Sequence, residues 1–259
     1  MDFVMIGNDI RLRCAAISAK QEGFEAEYSK SIDQIDLRRA SCVVLSPRAK
    51  ETAVHETSVK NIVERMTEGS ILISGMWDQE VSDLCKIKTI QYETLDKDEH
   101  FARENAVLTA KAALSRYNSL YQKDLKDKKV YVLGSGRVAQ ALVQCLNKEK
   151  IKPTVIARSS DKLKTLKNQS LADIVLLSDK QPFLPNSIVF NTIPYPILKT
   201  EDFPDPCVYM ELASKPYGVR FEDVPGHIKY SIEGGLPVKI MPIVACDAFW
   251  NAVKRRSGI

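Results

Sequence analysis

A glycine-spaced turn near the middle of the chain holds the residues best suited to bind a ligand. The segment KVYVLGSGRVAQALVQCL places Gly134, Gly136 and Ala139 in the spacing G-x-G-x-x-A, between an apolar run and a helix-forming stretch. In such a turn the first glycine permits a tight bend, the second lets the backbone approach a pyrophosphate, and the alanine permits close packing of helix on sheet. The helix N-terminus favours negative charge. The pattern predicts dinucleotide binding, with a purely structural strand–helix turn as the alternative.

The residues about twenty positions further on indicate which dinucleotide is preferred. There the sequence is VIARSSDKL, with Arg158, Ser159 and Ser160 where an NAD site would carry Asp or Glu. A cation flanked by hydroxyls can bind the 2′-phosphate of NADP, whereas a carboxylate would pair with the free ribose hydroxyls. We therefore expect NADP rather than NAD. The alternative is an exposed surface arginine.

Two further segments are predicted to follow strands at the same edge of the sheet. In FNTIPYPIL, Asn191 and Thr192 end a strand ahead of two prolines, and in ELASKPYGVRF Ser214 has a similar place. Ligands bind at the carboxyl ends of parallel strands in open α/β sheets, so both loops are expected to face the nicotinamide. The alternative is a pair of turns ordered by proline.

Histidine, the commonest acid–base residue, is scarce. The chain has His55, His100 and His227, and the segment EGGLPVKIMP has none where D-2-hydroxyacid dehydrogenases need an imidazole for the hydroxyl proton. This counts against hydride transfer to a simple ketone by that mechanism.

Alternating strands and helices must position these segments. Apolar runs recur in both halves, separated by helical or turn-rich stretches: FVMIG, FEAEY, CVVLS, SILISGM and KTIQY, then KVYVLG, PTVIA, ADIVLL, SIVFN, CVYMELA and IKYSI. The pattern predicts an α/β fold of two Rossmann-like domains with parallel sheets, separated by a cleft.

The domain boundaries follow from the same pattern. Residues 1–102 are predicted to form a flavodoxin-like substrate domain, 103–126 a connecting helix, and 127–240 the dinucleotide-binding Rossmann domain. Residues 241–259 predict a C-terminal helix, which could pack back on the N-terminal domain.

Composition narrows the class of protein. A net charge of +4 with scattered lysines gives no indication of a nucleic-acid partner, although a slightly basic surface suits an anionic small molecule. The six cysteines lie far apart without metal-ligand spacing, so we expect free thiols in a reducing cytosol and no metal site. No segment has the length of a membrane span or a signal-peptide core. The expected protein is cytoplasmic, with no membrane partner.

An ordered set of motifs resembles the NADP-binding subunit of bacterial dipicolinate synthase, over nearly the whole chain. The motifs are RENAVLTAKAAL, VLGSGRVAQAL, ARSSDKL, NTIPYPIL, ELASKPYG and GGLPVKIMP, with weaker likeness in IGNDIR and ISGM. The resemblance implies an NADP-linked step that makes pyridine-2,6-dicarboxylate from a cyclic product of the lysine pathway. It also implies two domains with the cofactor in the second, and usually a flavoprotein-like second subunit. Analogy with two-domain dehydrogenases implies a homo-oligomer.

The resemblance also implies roles for individual residues. The pyrophosphate would be bound by Gly134, Ser135, Gly136, Arg137 and Val138, and the adenosine ribose by Arg158, Ser159 and Ser160. The nicotinamide side would be lined by Asn191, Thr192, Ile193 and Pro194, with Ala213 and Ser214 close by.

Two departures from the family pattern affect the expected substrate. Lys111 stands where the family has Glu in Pro-Thr-x-Glu-Gly, and Val238 replaces the last glycine of Pro-Gly-Leu-Pro-Gly. A carboxylate substrate needs cations and polar groups, for which we select Arg11, Ser74, Gly75, Asn105 and Thr109. Lys111 is the first candidate for proton transfer and Asp9 the second. An ordinary surface or capping role is the alternative for each.

Three hypotheses for function remain open at this point. The first is an NADP-dependent oxidoreductase of the dipicolinate synthase type, acting on a small cyclic or imine-containing carboxylate. The second is a reductase of a different imino or keto acid, which the altered Lys111 and Val238 favour. The third is a non-catalytic NADP-binding regulatory subunit, which the lack of an evident proton-transfer residue favours.

Overall fold

The chain forms two compact units, and it passes between them twice. The computed structural model describes residues 2–46, 59–121, 125–158 and 171–259. Unit 1 comprises Met1–Asn105 with Met241–Ile259, and unit 2 comprises Ala106–Ile240. The prediction of an α/β fold with two parallel sheets is confirmed.

Unit 1 is built on a five-stranded parallel sheet of order β2-β1-β3-β4-β5. Every residue of β3 and β4 is buried, because helices cover both faces of a parallel sheet, and both strands are accordingly apolar except for Ser74 at the end of β4. The strands are β1 (Asp2–Ile6), β2 (Glu25–Ser29), β3 (Cys42–Leu45), β4 (Ile71–Ser74) and β5 (Gln91–Thr94).

Helices α1 (Ile10–Gln21), α2 (Val59–Arg65) and α3 (Gln79–Ile87) belong to unit 1. The C-terminal helix, α7 (Pro242–Ser257), packs on α1 in the same unit: Trp250 lies edge-on to Phe3 at 5.3 Å, and its indole N–H donates to Glu22 at 2.8 Å. Helix α7 ends at Gly258, whose left-handed φ of 78° is the usual conformation after a helix end.

Unit 2 contains a six-stranded parallel sheet of order β11-β10-β9-β6-β7-β8. Its strands are β6 (Lys129–Leu133), β7 (Thr154–Ala157), β8 (Asp173–Leu176), β9 (Ser187–Asn191), β10 (Cys207–Glu211) and β11 (Lys229–Ile232). The chain adds β7 and β8 on one side of β6 and then β9, β10 and β11 on the other. The strand order therefore reverses between β6 and β9, which is the Rossmann arrangement with its ligand-binding switch point.

The α-helices described in unit 2 are α4 (Glu99–Tyr121), which begins in unit 1, α5 (Arg137–Lys148) and α6 (Leu236–Ile240). Buried alanines on α4 and the apolar face of α5 pack on β6, β7 and β9. The small side chains of Ala106, Ala110 and Ala113 let this helix approach the sheet closely.

One strand boundary and one helix of unit 1 differ from the sequence prediction. KTIQY at 88–92 is predicted as a strand, but β5 begins at Gln91 because the preceding residues close α3. The N–H of Ile90 donates to the carbonyl of Cys85 at 2.8 Å, and Thr89 has a φ of 54°. Helix α3 itself has no counterpart in the sequence prediction.

No helix in the described ranges is long and apolar enough to cross a membrane. All six cysteines are free, and within the described residues no group of three or more His, Cys, Asp or Glu side chains is placed to bind a metal ion.

Candidate functional site at the switch point of unit 2

The glycine turn, residues 134–138, follows β6 at the switch point. Gly134 has a φ of 111°, and its N–H donates to the carbonyl of Ile156 in β7 at 2.8 Å. A Cβ at this position would lie 2.3 Å from Oγ1 of Thr192, well inside contact distance. Gly134 is therefore required both by its backbone conformation and by the close approach of the loop that follows β9.

Gly136 is the N-cap residue of α5, in an extended conformation with φ −76° and ψ −177°. It has no side chain to accept hydrogen bonds from the first N–H groups of the helix, which also lack an intrahelical partner. A Cβ at this position would meet no atom within 4 Å. The amino end of α5 thus presents N–H donors and a partial positive charge, and the arrangement fits a phosphate group.

The loop after β9, residues 191–196, begins with a buried amide. Asn191 is 0% exposed; its Nδ2 donates to the Glu211 carboxylate at 2.8 Å and to the Ile193 carbonyl at 2.9 Å, and its Oδ1 accepts from the Ile193 N–H at 3.1 Å. Asn191 therefore shapes the loop and is not available to a ligand. The ligand-accessible residues are Thr192 and Ile193, which are half-buried, and Pro194, which is exposed.

Thr192 connects this loop to the glycine turn. Its N–H and its hydroxyl both donate to the carbonyl of Leu133, the last residue of β6, at 3.0 and 2.7 Å. The predicted phosphate-side turn and the predicted nicotinamide-side loop are therefore packed as one piece at the switch point.

The loop after β10, residues 211–218, is organised by Glu211. Its carboxylate is 0% exposed and accepts four hydrogen bonds. Oε1 accepts from Nδ2 of Asn191 at 2.8 Å and from the N–H of Ala213 at 2.9 Å, while Oε2 accepts from the Tyr209 hydroxyl at 2.6 Å and from the N–H of Gly218 at 2.8 Å. We call these five residues the Glu211 network. Within the same loop Ala213 is half-buried and Ser214 is exposed.

Burial governs the electrostatics of this network. It raises the pKa of the Glu211 carboxyl, while hydrogen bonds from Tyr209, Gly218, Asn191 and Ala213 favour the ionised form. Burial and the adjacent carboxylate also raise the pKa of Tyr209, so its hydroxyl keeps its proton and donates. Because all four partners present a hydrogen to the carboxyl oxygens, Glu211 is assigned as a carboxylate.

Sequence reasoning missed Glu211, although it selected the motif ELASKPYG that contains it. The available signal was an acid that ends an otherwise apolar strand, where a side chain is buried only if it is paired. Ser214 is the residue predicted there instead, because it is a polar residue in a loop expected at the carboxyl end of a strand.

Arg158 follows the last residue of β7 directly and is exposed. It makes no hydrogen bond or ion pair with the other described residues. Ser159 and Ser160, which are predicted to act with it, lie outside the described residues.

Asp9 and Arg11, the residues selected in unit 1, are paired with each other. Asp9 is the N-cap residue of α1 and accepts from the Arg11 backbone N–H at 3.0 Å, from its Nε at 2.9 Å and from its Nη2 at 2.6 Å. Arg11 is 8% exposed, and its guanidinium lies 5.8 Å from the ring centroid of Phe249. Asp9 therefore balances a buried cation at the carboxyl edge of the unit 1 sheet.

Ser74 and Gly75 form the turn after β4. The Ser74 hydroxyl is buried and bonds to the carbonyl of Met76 at 3.0 Å and to the Tyr92 hydroxyl at 2.9 Å, and the Gly75 carbonyl accepts from the N–H of Asp96 at 3.1 Å. Their polar groups hold the turn in place.

The three residues selected on α4 are separated by the unit boundary. Asn105 lies in unit 1, whereas Thr109 and Lys111 lie in unit 2. Asn105 and Thr109 are half-buried, and each interacts with another residue. Lys111 is exposed, and its charge acts on Cys145, two turns into α5. Burial raises the pKa of that thiol, while Lys148 and Lys111 partly lower it. Lys111 thus lies beside the body of α5, away from the glycine turn.

The two sheet orders, with a glycine turn at the switch point of the second, define the class: an α/β fold of the two-domain dehydrogenase type. Neither the protein-family models nor the curated protein sequences contain a match to this chain. Solved structures do match it over its full length.

The dipicolinate synthase A subunit from Bacillus halodurans is similar with a TM-score of 0.79 at 19% identity, over 100% of this chain and 98% of that chain. The A chain of dipicolinate synthase from Bacillus subtilis gives 0.74 at 19% identity, over 98% and 95%. A D-isomer specific 2-hydroxyacid dehydrogenase from Lactobacillus delbrueckii ssp. bulgaricus, solved in an NAD-complexed form, gives 0.53 at 9% identity, over 100% and 98%. The predicted resemblance is confirmed at the level of the fold, which is what identities this low establish.

Proposed function

We propose that unit 2 binds a pyridine dinucleotide and that the protein is an NADP-dependent oxidoreductase. The observation that carries this proposal is the contact between Gly134 and Thr192 at the switch point. It supports a single surface on which residues 134–138 bind the pyrophosphate and residues 192–194 face the nicotinamide ring. When bound, the dinucleotide supplies a hydride donor or acceptor.

The preference for NADP rests on Arg158. Its guanidinium is exposed directly after β7 and has no carboxylate partner among the described residues, so it is available to pair with a 2′-phosphate. Ser159 and Ser160 would add hydroxyl donors to the same group.

The chain's own residues have distinct tasks in this proposal. Thr192, Ile193, Pro194 and Ala213 shape the nicotinamide side, and Asn191 holds the first of these loops from within. Ser214 is exposed in the second loop, where a ligand could reach its hydroxyl.

The proposed substrate is a small cyclic or imine-containing carboxylate, as the structural likeness to dipicolinate synthase suggests. Arg11 is its proposed carboxylate anchor, because Asp9 occupies Nε and Nη2 while Nη1 bonds to none of the described residues. Ser74 and Gly75 would support this edge, and Asn105, in the same unit, would add a polar contact. No proton-transfer step is assigned to Lys111 or Asp9, since one lies beside α5 and the other is bound to a guanidinium.

Three wider proposals follow: a flavoprotein-like second subunit, on the sequence resemblance to the dipicolinate synthase family; a homo-oligomer, by analogy with two-domain dehydrogenases; and a cytoplasmic location, which the six free cysteines favour. A reductase acting on a different imino or keto acid would use the same surfaces.

A second candidate function is a non-catalytic NADP-binding subunit. Two observations favour it: Asp9 is bound to the Arg11 guanidinium, and Lys111 lies beside α5, which leaves neither candidate with an assigned proton transfer.

The test of function is a titration of the purified protein with NADPH and NADH, followed by assays of NADPH oxidation. The substrates are cyclic imino carboxylates and, for comparison, open-chain keto acids, each with and without a flavoprotein partner. Tighter binding of NADPH together with turnover of a cyclic imino carboxylate is the expected result. Binding without any turnover would favour the non-catalytic role, and binding of neither nucleotide would refute the proposal.

A further inference from the structure

We propose that Glu211 is the positioning residue for the nicotinamide side of the site, an inference that rests on the dinucleotide binding proposed above. Its carboxylate fixes the loop of residues 191–196 at both ends, and it thereby sets where Thr192, Ile193 and Pro194 stand.

The first end of that loop is held directly. Asn191 donates from Nδ2 to Oε1 of Glu211 at 2.8 Å, and the remaining polar atoms of the same amide bond to the backbone of Ile193. The orientation of the Asn191 side chain, and with it the path of the backbone into the loop, therefore depends on the carboxylate.

The second end is held through Gly218. Oε2 of Glu211 accepts from the Gly218 N–H at 2.8 Å, and the Gly218 carbonyl in turn accepts from the N–H groups of Ile197 and Leu198 at 2.9 and 3.0 Å. A Cβ at Gly218 would lie 2.3 Å from Nδ2 of Asn191, so only a residue without a side chain lets this part of the loop after β10 approach Asn191 so closely. One carboxylate thus connects the start of the loop, its end and the neighbouring loop of residues 211–218.

The cost of this arrangement indicates a purpose beyond packing. Burying a carboxylate carries a desolvation penalty, and well-packed apolar residues often stabilise a core at least as well. Glu211 lies at the carboxyl end of its strand, and the loops that it connects present exposed or half-buried residues at the switch point. A rigid, fully bonded group under a binding surface holds that surface in a preorganised form.

The variant that separates positioning from packing is Glu211→Gln. Glutamine keeps the shape but carries an amide NH2 in place of one oxygen, so two of the four donors of the Glu211 network would face a donor. The matched control is Glu233→Gln in the same unit. Glu233 is also buried and pairs with Arg116 at 3.0 Å, and its side chain is not part of the Glu211 network.

Two probes distinguish the halves of the site: NADPH, and adenosine 2′,5′-bisphosphate, which lacks the nicotinamide. Glu211→Gln should weaken NADPH binding by about tenfold or more, a loss of roughly 1.4 kcal/mol. Binding of adenosine 2′,5′-bisphosphate should stay within about twofold, and Glu233→Gln should leave both probes within that limit. Amide hydrogen exchange over residues 191–198 and 211–219 should accelerate in Glu211→Gln.

If Glu211→Gln weakens the binding of both probes equally, or of neither, the positioning role is overturned. Neither result would refute the proposal that the wild-type protein binds a dinucleotide. If the wild-type protein binds neither probe, the proposed function fails and this inference fails with it. Tyr209→Phe, which removes one donor and keeps the carboxylate, carries the test if Glu211→Gln does not fold. Tyr209→Phe should weaken NADPH binding by less than Glu211→Gln does, with little change in the binding of adenosine 2′,5′-bisphosphate. An equal loss of binding of both probes would again overturn the positioning role.

Discussion

The substitution Gly134→Ala tests whether the glycine turn and the loop after β9 are packed as the structure describes. The new methyl group would lie 2.3 Å from Oγ1 of Thr192 and 3.3 Å from Cγ1 of Ile193. Ordinary carbon contacts are about 3.5–4 Å, so either the turn or the loop must move by more than about 1 Å.

Two costs add up at this position. A φ of 111° is unfavourable for alanine, by roughly 1–2 kcal/mol. Insertion of a methyl group into a packed site costs about 1–3 kcal/mol more. The unfolding free energy of unit 2 should therefore fall by roughly 2–5 kcal/mol, and NADPH binding should weaken because the pyrophosphate turn is displaced.

The assay is urea unfolding followed by far-UV circular dichroism. Both tryptophans, Trp77 and Trp250, lie in unit 1, so their fluorescence reports that unit separately. Gly69→Ala in unit 1, followed by tryptophan fluorescence, is the control for the conformational cost alone, since Gly69 has a φ of 79° but its Cβ would meet no atom within 4 Å.

Thr192→Ala completes the experiment as a double-mutant cycle. The methyl group of Gly134→Ala should cost at least about 1 kcal/mol less when Oγ1 of Thr192 is absent. Strictly additive effects, or a loss in Gly134→Ala no larger than in Gly69→Ala, would refute the close contact.

Two further predictions concern charged groups. Arg158→Asp should raise the dissociation constant for NADPH by roughly 10–100-fold, because a charge-assisted contact contributes about 1.5–3 kcal/mol, and should change the dissociation constant for NADH less than about threefold. The assay is a calorimetric titration, in which the control Arg39→Asp should leave both dissociation constants unchanged. An equal effect of Arg158→Asp on both nucleotides would exclude a 2′-phosphate contact. Burial alone would raise the pKa of Asp98, but hydrogen bonds from a backbone N–H and from Arg255 lower this pKa overall. The contribution of Asp98 to the stability of unit 1 is therefore present above about pH 4, and it is lost as the pH falls through the lowered pKa. Asp98→Asn should destabilise unit 1 at pH 7 and flatten the acid dependence of its urea midpoint, as measured by tryptophan fluorescence; an unchanged dependence would contradict the assignment.

The inner strands of unit 2 and the glycine turn are predictable from sequence because buried parallel strands are largely apolar runs and the turn needs residues without bulk. All six predicted apolar runs of that unit contain strands. In unit 1, the sequence misplaces the start of β5 because Thr89 and Ile90 look like strand residues, while hydrogen bonds to the end of α3 make them a turn.

The inner part of the site could not be predicted in the same way. Whether Asn191 faces a ligand or the protein depends on a partner twenty residues away in the chain, and Glu211 becomes visible as that partner only once β9 and β10 are paired. Likewise, the pairing of Asp9 with Arg11 depends on a local cap geometry that residue types alone do not reveal. Side-chain direction at the ends of strands is the information that the fold adds.

The most direct test of the central claim is a calorimetric titration of NADPH into the wild-type protein and into Gly136→Asp. Aspartate suits the extended N-cap conformation of Gly136, so α5 should keep or slightly gain stability. Its carboxylate would occupy the place of the phosphate and repel it, which should weaken binding at least about a hundredfold. Loss of binding in a variant as stable as the wild type is the predicted result; unchanged NADPH affinity in Gly136→Asp would show that the phosphate does not bind at this turn.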